Sequence, residues 1–187
     1  MKSSKGAEFE RKISKQLSLW WSNGERDDIF WRSQQSGGRA TIRRKKELTT
    51  ANQEGDLTAM HPMGQPLIDL ISIELKCGYP EFTIEGILNR TRLTKPILRL
   101  FIEQCEKEIS KGRPYWWLIV RQHLRAEIIL FDTPFRQWLR RENFSSWTEL
   151  DRLSLKFEKW NLSCCRLEEF LNSLKTDRFR EKLEEEK

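Results

Sequence analysis

Two carboxylates and a lysine, in the segments Gly55-Asp56-Leu57 and Ile73-Glu74-Leu75-Lys76, have the types and spacing needed to hydrolyse a phosphodiester. Cleavage of that bond by water requires a metal that holds the phosphate, a nucleophilic water, and stabilisation of the developing negative charge. Hard divalent cations such as Mg2+ or Mn2+ take carboxylate and carbonyl oxygens. On a strand, Glu74 and Lys76 are two apart and project from one face. Asp56 opens a run that reads as the hairpin partner of that strand, and a hairpin returns its start beside the end of its partner. Asp56 and Glu74 can then share a metal, with the Leu75 carbonyl as a further ligand. Lys76 would orient the water or help to deprotonate it. Glu-x-Lys alone is a common solvated strand face. The combination changes that reading: the strand is otherwise apolar (Leu70, Ile71, Ile73, Leu75), Gly-Asp opens its partner, and Glu10 supplies a further carboxylate on the first helix.

The elements that must position these residues follow from periodicity. Phe9, Ile13, Leu17 and Trp20 recur at helical spacing and predict a helix over residues 5–21, capped by Ser3 or Ser4 and ended by Asn23-Gly24. Strands are predicted over 28–34, 57–60 and 67–76, the last two forming the hairpin across a turn at 61–66. Leu98, Phe101, Ile102, Cys105 and Ile109 form the buried stripe of a long helix over 95–111, capped by Thr94 and ended by Gly112 and Pro114. Buried strands are expected over 115–121 and 126–132. A short helix over 134–141, capped by Thr133, a strand over 153–157 and a terminal amphipathic helix over 167–182 complete the order α-β-β-β-α-β-β-α-β-α. That order predicts an α/β fold, a mixed β-sheet flanked by helices on both faces.

Composition narrows the class. A chain of 187 residues with 37% hydrophobic residues and eight Trp has enough apolar material for one ordinary core. The formal charge of +6 points weakly to an anionic partner. No apolar run approaches the roughly 18 residues of a spanning helix. Cys77, Cys105, Cys164 and Cys165 form no CxxC pair, which argues against a zinc site or a disulfide framework and for a reduced, cytoplasmic setting.

Gly6-Ala7-Glu8-Phe9-Glu10-Arg11, Ser36-Gly37-Gly38, Gly55-Asp56 and Ile73-Glu74-Leu75-Lys76 occur in an order that resembles the archaeal-type Holliday junction resolvases, members of the PD-(D/E)XK nuclease superfamily. The resemblance covers approximately residues 5–121. It implies a restriction-endonuclease-like fold; the nuclease core is expected over 1–132, with a helix-strand-helix extension over 133–187, outside the resemblance, packed on the same domain. It also implies a Mg2+- or Mn2+-dependent endonuclease acting on DNA in recombination or repair, on branched or junction DNA, as a homodimer that makes symmetric cuts. By the same resemblance Asp56, Glu74 and Glu10 are metal ligands, Lys76 is the catalytic lysine and Arg11 is a DNA-contact or structural cation. Gln104, on the long helix, is a supporting residue or a plain helix flank. Two departures stand out. Gly55 replaces the usual proline before the aspartate, and the stretch from Ser36 to Asp56 is long for a small resolvase.

That stretch is itself informative. Arg32, Arg39, Arg43, Arg44, Lys45 and Lys46 fall together with no acidic residue between 32 and 46. Such clustering neutralises phosphates and makes binding salt-sensitive. Ser36, Gly37 and Gly38 allow backbone amides to approach a phosphate closely. Arg90, Arg92 and Lys95 form a weaker basic patch. Most tryptophans, among them Trp31, Trp116 and Trp138, read as core residues, and His61 and His123 as surface ones. Three rivals to junction cleavage remain: cleavage of linear duplex or flap DNA as in restriction or phage nucleases, a protein-interaction module using the carboxy-terminal helix, and a non-catalytic DNA-binding protein of the same fold. The intact Asp56, Glu74 and Lys76 argue against the last.

Overall fold

The computed structural model describes residues 5–33, 55–89, 92, 94–109, 112–122, 125–144 and 153–186. Helix α1 (Lys5–Trp21) leads into strand β1 (Phe30–Arg32), which pairs antiparallel with β2 (Leu57–Ala59). A 3-10 turn (Pro62–Gly64), helix α2 (Gln65–Leu70) and strand β3 (Ile71–Cys77) follow. Then come α3 (Ile84–Leu88), α4 (Thr94–Ile109), β4 (Tyr115–Arg121), β5 (Glu127–Asp132) and α5 (Thr133–Arg141). The described chain ends with β6 (Leu153–Phe157), β7 (Trp160–Arg166), α6 (Leu167–Ser173) and α7 (Thr176–Glu185).

The main sheet has the order β3-β4-β5-β7-β6. β3 and β4 are parallel and every other pair is antiparallel. Its two faces feed separate apolar clusters. Ile71, Ile73, Leu75, Trp117 and Ile119 pack with apolar residues of α1, α2, α5, α6 and α7. Trp116, Leu118 and Val120 pack instead with Ile87 of α3 and with Leu98, Phe101, Ile102 and Cys105 of α4. The mixed sheet with helices on both faces is therefore as the sequence predicts, and the β4 and β5 runs are apolar because both their faces are covered.

Several elements differ from expectation. Residues 65–70 form a helix rather than the start of a strand. Leu67, Ile68 and Ile71 are buried at a spacing that serves either structure. Pro66 suits a first turn, and Gln65 donates to Asp69 at 2.5 Å one turn on. Gly64 just before it packs so tightly that a Cβ there would lie 2.7 Å from Ile29. β2 pairs with β1 and not with β3, so the expected hairpin is absent. The α5 cap is Asp132, whose side chain accepts from the Phe135 amide, while the Thr133 hydroxyl donates to the Asn161 carbonyl. Helix α3 and strand β7 were not anticipated. The terminal helix is two, separated at Leu174, which is extended and buried.

Trp31 is not a core residue: it is 48% exposed on β1, whereas Trp21, Trp116, Trp117 and Trp138 are buried. His61 is more than a surface residue, since its Nδ1 accepts from the Met63 amide and caps the 3-10 turn. All four cysteines are unbridged. Among the described residues no helix is long and apolar enough to cross a membrane.

Candidate active site

Glu74 and Lys76 project from the α4 face of β3, opposite Ile73 and Leu75, as strand alternation requires. In the parallel register Glu74 lies beside Leu118 and Lys76 beside Val120, both apolar. Two charged groups on an apolar face must be paired. The Lys76 ammonium pairs with the Glu74 carboxylate, and it lies 5.5 Å from the centre of the Phe101 ring on α4. Glu74 is only 8% exposed. Burial works to lower the Lys76 pKa, but the charge and hydrogen bond of Glu74, with Asp56 behind them, hold it above its ordinary value. The lysine is therefore an ammonium here, a donor and a charge rather than a base.

Asp56 arrives by a different route from the one its spacing suggests. Its amide donates to the Ile73 carbonyl (2.9 Å), and its own carbonyl accepts from the Ser33 amide (2.8 Å). The chain at Asp56 thus lies between β1 and the outer edge of β3. Its carboxylate accepts from the Leu75 amide at 2.8 Å. Within a strand the N–H and C=O of one residue point to the same side, so the Leu75 carbonyl faces the same outer edge. Gly55 makes this approach feasible. It has φ +77, and a Cβ there would lie 3.0 Å from the Ile73 carbonyl. Proline cannot adopt that φ, which explains why glycine stands where related motifs carry proline.

Burial, followed by the charge of Glu74, pushes the Asp56 carboxyl up to about 7, with a smaller contribution from Glu10. The Leu75 amide and Lys76 oppose that rise. Glu10 is therefore close enough for its charge to be felt at Asp56. Its carboxylate is held at 3.0 Å by Arg32 Nε on β1, and it is the Glu10 backbone carbonyl, not the side chain, that takes the Ser14 hydroxyl. Among the described residues no group of three or more His, Cys, Asp and Glu side chains forms a ready metal cluster. The donor set that suits a hard cation is smaller: Asp56 and Glu74, with the Leu75 carbonyl on the same edge. A buried carboxyl whose proton affinity is raised by burial and by a second carboxylate beside it is chemically suited to a divalent ion.

The remaining predicted site residues fare differently. Arg11 is exposed on α1. Gln104 is exposed on the flank of α4, and the positions of that helix turned toward the site are Phe101 and Cys105. Burial first, and Glu74 second, push the Cys105 thiol well up, so it stays protonated. Ser36, Gly37, Gly38, Arg39, Arg43, Arg44, Lys45 and Lys46 lie outside the described residues, as do His123 and Arg90. Arg92 and Lys95 are exposed, and Lys95 lies 3.9 Å from Glu158. Sequence reasoning missed Arg32 as the partner of Glu10 and Phe101 as the floor beneath Lys76. Phe101 was legible as a member of the α4 stripe. Nothing local marked Arg32 out from the other cations near it.

No curated protein and no solved structure matches this chain. A family model described as "Phage putative PDDEXK endonuclease" matches residues 1–181, nearly the whole chain. Its span takes in α1, the β1–β2 pair, β3 and the five-stranded sheet together with the carboxylate–lysine motif. The chain belongs to this phage PD-(D/E)XK endonuclease family.

Proposed function

We propose that this protein is a metal-dependent DNA endonuclease whose reacting centre is Asp56, Glu74 and Lys76, supported by Glu10. The observation that carries the reading is the placement of Asp56 on the outer edge of β3, bonded to the Leu75 amide next to the paired Glu74 and Lys76. Asp56, Glu74 and the Leu75 carbonyl would hold Mg2+ or Mn2+, which when bound supplies charge stabilisation and a more acidic water. With the charge of Glu74 so committed, Lys76 has N–H donors to spare for the attacking water or the scissile phosphate. Phe101 beneath it keeps the ammonium in a weakly hydrated position, where its charge acts more strongly. Glu10, kept in place by Arg32, is a positioning residue for the water shell. Arg11 and the basic stretch Arg39 to Lys46, led by Ser36, Gly37 and Gly38, would carry phosphates. Gln104 acts at most from the helix flank.

The segment beyond residue 132 we assign to the same folding unit as the core, because β7 lies between β5 and β6 in one sheet. Junction resolution by a homodimer rests on the order of short motifs, and a phage-type nuclease acting on linear or flap DNA accounts for that order equally well. The deciding assay offers labelled four-way junction, flap, linear duplex and single strand with Mg2+, Mn2+ or EDTA, beside a Lys76→Ala preparation. Metal-dependent cutting that disappears in Lys76→Ala is the expected result. Binding without any metal-dependent cutting would overturn the enzyme reading, and equal cutting of linear and branched DNA would remove the resolvase assignment alone.

A further inference from the structure

A basic cleft of about 740 Å³ opens at the carboxyl ends of β3 and β4, directly beyond Lys76. Cys77, Gly78 and Tyr79 continue the Lys76 strand into its wall, and Lys5, whose carbonyl accepts from the Cys77 thiol at 3.5 Å, and Lys12 line it from α1. Arg121, Arg125 and Glu127 complete the charged lining, so four cations face one carboxylate. Glu127 is satisfied by Lys12 at 2.5 Å, with Arg121 at 3.9 Å. Lys5 and Arg125 are exposed, and among the described residues neither has an ion-pair partner, so they are the surplus positive charge there. A neighbouring hollow of about 490 Å³ shares Tyr79 and Arg125 with the cleft and adds Arg166 and Glu85, whose charges balance, so the excess of positive charge belongs to the first cleft.

Tyr79 is the apolar feature of this surface. It is 40% exposed, with its ring edge-on to Phe101 at 4.9 Å, the same ring that lies under Lys76. Beside it Gly78 has φ +84, and a Cβ built there would meet nothing within 4 Å. An aromatic ring held at one edge, next to open space and rimmed by cations, suits a nucleobase with its phosphates alongside. A cleft of this size encloses a short piece of one strand and not a duplex.

We infer that this cleft binds single-stranded DNA, with a base stacked on Tyr79 and the backbone phosphates on Lys5 and Arg125, so that the enzyme takes DNA with an unpaired strand next to the cut. The inference rests on the nuclease reading for its link to cleavage, but strand binding is measurable without it. Anisotropy of a labelled oligothymidylate of about a dozen nucleotides, and of a blunt duplex, is read in EDTA so that nothing is cut. The wild type binds the single strand. Tyr79→Ala weakens that binding about tenfold and leaves the duplex unchanged, and Tyr79→Phe, which keeps the ring, restores it. Arg125→Ser weakens it and lowers the salt slope by about one. The oligonucleotide also protects Cys77, in the cleft wall, from alkylation. A wild type that ignores the single strand, a Tyr79→Ala variant that binds it normally, or an unprotected Cys77 would each overturn the inference. Strand binding with no metal-dependent cutting would leave the cleft standing and remove the nuclease reading. Cutting without strand binding would do the reverse.

Discussion

The carboxylate of Asp56 accepts a hydrogen bond from the backbone amide of Leu75 at 2.8 Å, between the two residues that carry the rest of the motif. A charge-assisted bond to main chain places this carboxylate more firmly than a side-chain contact would, because the strand cannot rotate away. The edge of β3 is thereby both the floor of the site and its measuring rod.

The pairing of Lys76 with Glu74 on an apolar face makes the two interdependent. Lys76→Ala leaves a buried carboxylate without its counter-charge, so cleavage is lost and metal-free stability falls by about 1–3 kcal/mol. Glu74→Gln loses cleavage as well, but it removes the buried negative charge and costs less stability. Urea unfolding in EDTA orders the two. A Lys76→Ala protein as stable as wild type would show that the pair does not hold the strand face.

Asp56 makes the metal-free protein pH-dependent. Its carboxyl titrates at about 7 in the folded chain against an ordinary value of 3.8, so between these pH values the folded state binds more protons than the unfolded one. Stability from this group is fully present below about pH 4 and is lost as pH rises through 7, amounting to a few kcal/mol at most. Divalent metal should reverse the trend, because the ion replaces the proton. Thermal melts in EDTA from pH 5 to 8.5, for wild type and Asp56→Asn, test this. The variant should lose less stability than wild type over that range, and parallel curves would contradict the placement of Asp56.

Gly55 is required by geometry. Gly55→Ala places a Cβ about 3.0 Å from the Ile73 carbonyl in a backbone conformation with φ +77, and should cost about 1–3 kcal/mol. Activity should fall further than stability, since any shift of residue 55 moves the Asp56 carboxylate off Leu75. Gly55→Pro, which restores the residue usual in related motifs, should be the worse of the two because proline cannot reach that φ. A fully active, stable proline variant would disprove this account.

Arg32 holds Glu10 at 3.0 Å. Arg32→Ala removes the counter-charge of that carboxylate, so more of its charge bears on Asp56. Activity should drop roughly tenfold or more, and the low-pH limb of the rate profile should shift upward. Arg32→Lys should recover part of both. A drop in activity without a shifted pH profile would mark Arg32 as a DNA contact instead.

What could be read from the chain alone was local. Alternation along Ile71 to Lys76 put Glu74 and Lys76 on one face, and the helical spacing of Phe9, Ile13 and Leu17 set α1 with its bounds, because both patterns repeat within a few residues. The apolar runs at 115–121 and 127–132 declared covered strands for the same reason. The tertiary structure decided whatever depended on distant partners. Residues 67–70 are apolar at a spacing that suits helix or strand, and the packing of Gly64 against Ile29 and Phe30 accompanies the helical choice. β2 joined β1 across a long intervening stretch, a pairing that no local signal encodes. Asp56 still reached Leu75, by a glycine at positive φ and two main-chain bonds rather than by a hairpin. Residue types suggested the chemistry that is proposed for this site. Only the folded sheet edge could show how the two carboxylates are held, that Arg32 claims Glu10, and that Phe101 and not Gln104 lies beneath the lysine.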